Sequence, residues 1–265
     1  MNVKDKVIWI TGASSGIGEA VARVCAQKGA KLILSARNEE KLAQLRKELD
    51  NPDDHKIVPL DLSNAEQLNE IVSNALIDIG KVDVLLNNGG IGQRGFAIDT
   101  ALEVQRKVME VNYFGTIAMT QAVLPSMKQN GSGMIATVAS VAGLVGGKSM
   151  AGYSASKHAV VGYMDCLRAE ETEHGIKVLN ICPGFVQTQI SVNAFKGDGS
   201  KFEAMASSIK NGIPAIECAE QIVAAIESEK AQVIIGKGIS YWAPTIYKFF
   251  PWLFRKLSAS KNYRE

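Results

Sequence analysis

Tyr153 and Lys157 stand four residues apart in Tyr-Ser-Ala-Ser-Lys. On a helix, that spacing puts both side chains on one face. A nearby ammonium favours tyrosinate and lowers a phenol pKa from ~10 toward working pH. A tyrosine tuned this way can give a proton to a carbonyl oxygen or take one from an alcohol. Ser140 lies 13 residues earlier, across a glycine-rich connection. Its hydroxyl can hydrogen-bond the same substrate oxygen and stabilise developing charge. In isolation the pair would read as a half-buried helix tyrosine and a surface lysine, so the surrounding elements decide.

Those elements begin with Lys6–Ile10, a short apolar run that reads as a buried strand. The turn Thr11-Gly12-Ala13-Ser14-Ser15-Gly16-Ile17-Gly18 follows, then a helical pattern over Glu19–Gln27 that stops at Lys28-Gly29. Glycines at 12, 16 and 18 let the backbone turn sharply and approach a pyrophosphate, and the next helix offers free N–H groups and its positive dipole end. An ordinary strand–helix loop is the competing reading; the position between a strand and a helix favours the phosphate cradle. Lys31–Ser35 is the second strand, Asn38–Asp50 an amphipathic helix and Lys56–Leu60 a third strand ending at Asp61. Ser63–Ile79 is predicted helical, with Ser63 as N-cap and Glu66 completing a capping box. Strands at Val82–Leu86, Gly133–Val138 and Lys177–Cys182 continue the alternation. Such uninterrupted apolar strands suit a parallel sheet covered on both faces, a doubly wound α/β fold.

Composition sets outer bounds. A length of 265 residues with no repeat or linker suits one domain over 1–265. A formal charge of +2 argues against a dedicated nucleic-acid binder. Cys25, Cys166, Cys182 and Cys218 form no CxxC pair and read as four separate buried thiols in a reducing, cytoplasmic setting. His55, His158 and His174 read as surface residues without ligand spacing, and no metal site is expected. The apolar run near Met1 is too short for a signal peptide, and no stretch approaches a membrane span.

The Thr-Gly-xxx-Gly-x-Gly turn resembles the cofactor turn of the short-chain dehydrogenase/reductase family. The resemblance recurs in order: Asn87-Asn88-Gly89-Gly90, with Gly89 replacing the family's alanine; Asn112; Ser140; Tyr153 and Lys157; and Pro183-Gly184 through Val186 to Thr188. The Gly89 replacement is expected to loosen packing slightly without removing a chemical group. The resemblance implies a parallel sheet of about seven strands in a Rossmann-type domain. It implies that Asn112, Ser140, Tyr153 and Lys157 are catalytic, with Lys157 also holding the nicotinamide ribose and Asn112 fixing a water in a proton relay. It further implies a cofactor site from Gly12, Ser14, Ser15, Gly16, Ile17, Gly18, Arg37, Asp61, Leu62, Asn88, Gly89, Tyr153, Lys157, Pro183, Gly184, Val186 and Thr188. Asp61 and Leu62 resemble the pair that borders the adenine, although Asp61 could also cap the next helix. A homodimer or homotetramer is expected from the resemblance alone.

NAD sites place an acid near the end of the second strand. Here that end reads Leu34-Ser35-Ala36-Arg37-Asn38, and the Arg37 guanidinium suits a 2′-phosphate. NADP(H) is therefore the expected cofactor and NAD(H) the alternative. Residues 185–213 are expected to form a substrate lid. Within it, Thr188–Ala194 resembles the dehydrogenase/reductase member 7 branch, which hints at a bulky or lipophilic ketone. Gly143–Gly147 is expected to shape the substrate mouth. Of 17 aromatic residues, seven fall within Tyr241–Phe254. That segment is expected to pack on a neighbouring subunit or over the substrate site, ahead of resting on a membrane as an interfacial helix or filling core. The rival functions are a non-catalytic dinucleotide sensor, a membrane-peripheral scaffold using residues 241–265, and an isomerase, epimerase or dehydratase on the same fold.

Overall fold

In a computed structural model of the chain, residues 1–260 are described. Strand β1 (Val7–Thr11) leads through the glycine turn into helix α1 (Gly16–Gln27), three residues earlier than the apolar pattern suggests. β2 (Lys31–Ser35), α2 (Glu39–Glu48), β3 (Lys56–Ile57), α3 (Ala65–Ile79) and β4 (Val84–Asn87) follow. α4 (Leu102–Met109) and α5 (Gly115–Gln129) are joined by a π-helical turn, Glu110–Phe114. Then come β5 (Gly133–Val138), α6 (Ala151–Glu171), β6 (Ile176–Pro183), the single turn α7 (Ser207–Lys210), α8 (Ala215–Glu227), β7 (Gln232–Ile235), α9 (Gly238–Phe249) and α10 (Pro251–Ser260).

All seven strands are parallel and lie in the order β3-β2-β1-β4-β5-β6-β7. Side chains alternate across the sheet. Ile8 and Ile10 enter an apolar layer shared with α1 and α8, while Trp9 enters the opposite layer shared with α3, α5 and α6. The Trp9 indole donates to Ser35 Oγ at 2.8 Å, so its buried N–H is satisfied. The chain order reverses between β1 and β4, whose carboxyl ends meet those of β5 and β6 along one edge. Ligands of doubly wound sheets enter at this crevice.

Several local expectations are corrected. β3 keeps only two ladder residues, although Val58 and Leu60 N–H groups still donate to Leu34 and Ala36. Ser63 does not cap α3. Asn64 is the N-cap, without a side-chain bond, because the Asp61 carboxylate takes the Ser63 N–H at 2.9 Å and sets the turn first. Asp61 therefore caps a turn and not the helix. His55 is buried: Nδ1 accepts from Leu32 N–H at 3.2 Å and Nε2 donates to Asp50 O at 2.9 Å. Burial lowers its pKa. Cys25, Cys182 and Cys218 are buried, with thiols pushed up to about 12 by burial, whereas Cys166 is exposed.

The C-terminal aromatics divide. Phe254 and Ala243 pack on Val141 and Val145, just after Ser140. Tyr241, Trp242, Tyr247, Phe249, Phe250 and Trp252 stay exposed, so the segment as a whole is not core filling. No described helix is long and apolar enough to cross a membrane.

Candidate active site

The glycine turn has the geometry a phosphate cradle requires. Gly12 and Gly16 adopt φ of +66° and +61°, which L side chains rarely accept. Gly18 lies where a Cβ would stand 2.3 Å from Gly12 O and 2.5 Å from Asn88 Nδ2. Ser15 precedes α1 in extended conformation with no side-chain cap bond, leaving the first N–H groups of the helix for an anion. The turn is tied to the end of β4. Thr11 Oγ1 accepts the Asn88 and Gly89 N–H groups, each at 3.0 Å. Asn88 Nδ2 donates to Thr11 O at 3.1 Å and Gly12 O at 3.2 Å.

Gly89 does not loosen this junction. Leu62 Cδ1 lies 2.4 Å from where the absent methyl would be. Leu62 is itself held from behind by Gly115, whose Cβ would fall 2.3 Å from Leu62 O. The leucine fills the space that an alanine would need.

A cavity of about 900 Å³ runs from this cradle to Tyr153. Gly12, Ser14, Ser15, Gly16, Ile17, Arg37, Asp61, Leu62, Asn88, Gly89, Ser140, Tyr153, Lys157, Pro183, Gly184, Val186 and Thr188 all line it. Gly18 and Asn112, the two remaining sequence candidates, stand behind the wall. Asn112 sits in the π-helical turn, fully buried, with Oδ1 accepting Ile91 N–H at 2.8 Å and Nδ2 donating to Ile91 O and Ser156 Oγ, each at 3.0 Å. It fixes the backbone beyond Gly89. A Cβ on Gly90 would lie 3.0 Å from Asn112 Oδ1 and 3.6 Å from Lys157 Nζ, so this glycine lets both side chains converge.

Ser140 caps a short turn after β5, its Oγ accepting Ala142 N–H at 3.1 Å and donating weakly to Pro183 O at 3.4 Å. It also hydrogen-bonds the Tyr153 hydroxyl. The lysine is arranged otherwise than the four-residue spacing suggests. Lys157 is buried, and its ammonium donates to Val138 O at 2.9 Å while standing 5.9 Å from the centre of the Tyr153 ring. Burial lowers its pKa to about 8. Burial also pushes the Tyr153 phenol above its usual 10.0, with the Ser140 bond opposing only part of the effect. The expected lowering by the ammonium is thus overturned: the site holds a neutral phenol, the form that donates a proton.

The family model for short chain dehydrogenases matches residues 6–199. The chain belongs to this family of oxidoreductases. Among curated relatives, dehydrogenase/reductase SDR family member 7B of Danio rerio is 40% identical over 267 residues, covering 98% of this chain and 86% of that protein. The Mus musculus protein of the same name is 38% identical, covering 99% and 83%. The fold matches a Streptomyces avermitilis short-chain dehydrogenase at 28% identity and TM-score 0.83, covering 99% of this chain and 100% of that one. It also matches a Burkholderia phymatum family member in complex with NAD at 27% identity and TM-score 0.81, covering 100% and 98%. A Burkholderia cenocepacia member in complex with NADP aligns at 26% identity and TM-score 0.80, covering 98% and 100%. The resemblance to the member 7 branch, read from a few lid residues, therefore extends along nearly the whole chain.

Sequence reasoning missed Lys41 and Lys201, which also line the cavity. Lys41 stands one turn after Arg37 at the head of α2, a spacing visible in the sequence. Lys201 comes from the 185–213 segment, and no sequence signal separates it from other surface lysines. Val145, Gly146 and Gly147 line the cavity as expected of the Gly143–Gly147 loop. Gly143 instead packs under α6, where a Cβ would meet Lys157 O at 2.7 Å.

Restoring the family residue with Gly89→Ala should cost about 1–3 kcal/mol through overpacking against Leu62. Adding Leu62→Val should recover much of it in urea denaturation; no recovery would remove Leu62 as the cause. Lys157 has a folded pKa of about 8 against its usual 10.5. The unfolded chain therefore binds the extra proton between those values, and stability rises with pH across that window. Lys157→Met should stabilise the protein by about 1–2 kcal/mol at pH 7, after allowing for the lost bond to Val138. That advantage should shrink as pH climbs from about 8 toward 10.5. Destabilisation at pH 7 would contradict the buried-charge reading.

Proposed function

We propose that the protein is an NADP(H)-dependent oxidoreductase that reduces a bulky or lipophilic ketone to a secondary alcohol. The observation that carries this reading is the protonated Tyr153 phenol, hydrogen-bonded to Ser140 at the end of a cavity that begins in a phosphate cradle. Gly12, Ser14, Ser15, Gly16 and Ile17 would hold the pyrophosphate, Asp61 and Leu62 the adenine, and Lys157 the nicotinamide ribose. Asn88, Gly89, Pro183, Gly184, Val186 and Thr188 would complete the walls. When bound, the nicotinamide supplies the hydride.

The chain's own residues do the rest. Ser140 Oγ orients the carbonyl oxygen and stabilises the charge that grows on it. Tyr153 Oη gives that oxygen its proton. Lys157, its ammonium anchored on Val138 O beside the tyrosine, would act by holding the ribose and so placing the nicotinamide against the substrate. Asn112 acts from behind the wall, by fixing Ile91 and supporting the relay that returns the proton.

NADP is favoured over NAD by Arg37 and Lys41, both in the groove wall where β2 ends, whereas the nearby acids Glu39 and Glu40 do not line it. The relatives of known structure include one in complex with NAD and one with NADP, so the fold accommodates either. A bulky substrate is favoured by the volume and by a wall that includes Val145, Met150, Phe185, Ile190, Ile209 and Phe254.

Tyr153→Phe should lower turnover of NADPH with a panel of steroid and acyl ketones by about 10²–10⁴-fold. Retained turnover would exclude Tyr153 as proton donor, and a native protein inactive on the entire panel would favour a non-catalytic dinucleotide sensor. Arg37→Asp should shift the NADPH/NADH ratio of kcat/KM toward NADH by about ten- to hundredfold, the loss of a charge-assisted contact. Equal use of both by the native protein would sink the role given to Arg37.

A further inference from the structure

The aromatic segment has two sides. Toward the protein, Ala243 and Phe254 close over Val141 and Val145, and Ile239, Ser240 and Leu257 join them in the cavity wall. Away from it, Trp242, Phe249, Phe250 and Trp252 are 56%, 64%, 54% and 63% exposed. Tyr241 and Tyr247 are exposed beside them. Six large aromatic side chains exposed within 12 residues of chain are far more than scattered surface apolars require and mark a contact segment.

Charge says what the contact is. Between Ala231 and Ser260 the chain carries Lys237, Lys248, Arg255 and Lys256 and no aspartate or glutamate. All four cations are exposed. Lys148 joins them, its ammonium donating to Ala259 O at 3.2 Å. A cleft of about 550 Å³ lies between α10 and the loop after Ser140, lined by Lys148, His158, Tyr247 and Arg255 among others. A second copy pairing through this face would bring like charges together, because a two-fold contact sets the same patch against itself. An anionic lipid surface instead satisfies both features: aromatic rings enter the headgroup boundary while lysine and arginine meet phosphate. Helices of 12 and 10 residues are suited to lying along such a surface and are too short to cross it, since a span needs ~20.

We propose that the outer face of α9 and α10 docks on an anionic phospholipid membrane. Docking places the helices that wall the cavity at the lipid boundary, where a lipophilic substrate is concentrated. That consequence rests on the proposed reaction, whereas the docking does not, and the two are read separately.

The test is flotation of the full chain with vesicles of phosphatidylcholine alone or mixed with phosphatidylglycerol, followed by tryptophan emission. Trp9 is fully buried, so an emission change on vesicle addition reports Trp242 and Trp252. The native protein should float with the mixed vesicles, shift its emission to the blue and bind more weakly in high salt. Two triple variants, Trp242→Ser/Phe249→Ser/Trp252→Ser and Lys248→Glu/Arg255→Glu/Lys256→Glu, should each bind at least about tenfold more weakly. The first variant should keep its NADPH turnover with a soluble ketone. If the variants do not fold, quenching of the native protein by brominated lipid decides: quenching supports docking and its absence overturns it. Equal binding by native protein and variants also overturns it. So does a native oligomer that the aromatic variant splits while vesicle binding is absent, which would make the face a contact between copies.

Discussion

A lysine ammonium buried beneath the end of a strand is costly, and much of the site is arranged around it. Lys157 reaches Val138 O, a carbonyl exposed by the turn that β5 makes into Ser140. Gly143 has no Cβ, so this loop can pass directly over the lysine's backbone. Gly90 has none either, which leaves room for the ammonium beside Asn112. Asn112 then spends its whole side chain on Ile91 and Ser156, and the π-helical turn is the local irregularity that brings it there. Removing the ammonium would relieve a desolvation cost but empty the centre of the site. A structure that retains such a group at the expense of stability points to function.

The same burial sets the chemistry. A phenol raised above its ordinary pKa keeps its proton, and Ser140 stands beside it; in the proposed reaction the pair would order and protonate the substrate oxygen. The cradle contributes position in place of acid–base chemistry. Thr11 and Asn88 lock the ends of β1 and β4 together, and Lys157 ties the helix that carries Tyr153 to Val138 at the end of β5, so the glycine turn and that helix share one sheet edge. The preorganisation is held by backbone and short side chains, which lose little conformational freedom in providing it.

Legibility in the sequence followed the physics of each signal. Positions 12 and 16 were readable because positive φ demands glycine, and the order of later motifs made Tyr153 and Lys157 stand out from ordinary helix residues. Spacing placed those two on one face, but it could not say that the ammonium would turn toward Val138 and leave the phenol raised by burial. His55 was unreadable as a buried residue because its neighbours are polar; two backbone bonds, invisible in sequence, hold it inside. Ser63 matched a capping pattern, yet Asp61 reached the same turn first. In sequence Gly89 reads as a loss of packing, whereas in the fold Leu62 occupies the vacated space. The aromatic run was conspicuous, but only the packing divides Phe254, turned to the cavity, from Trp242 and Trp252, turned outward.

The central claim is that burial keeps the Tyr153 phenol protonated, ready to donate. Carbon NMR of protein labelled at tyrosine Cζ, with the signal assigned through Tyr153→Phe and recorded without added dinucleotide, measures that ionisation directly. Tyr153 should show no ionisation until above the usual 10.0 of a free phenol. A titration near neutral pH would contradict the account and return the lysine to the role of an electrostatic activator.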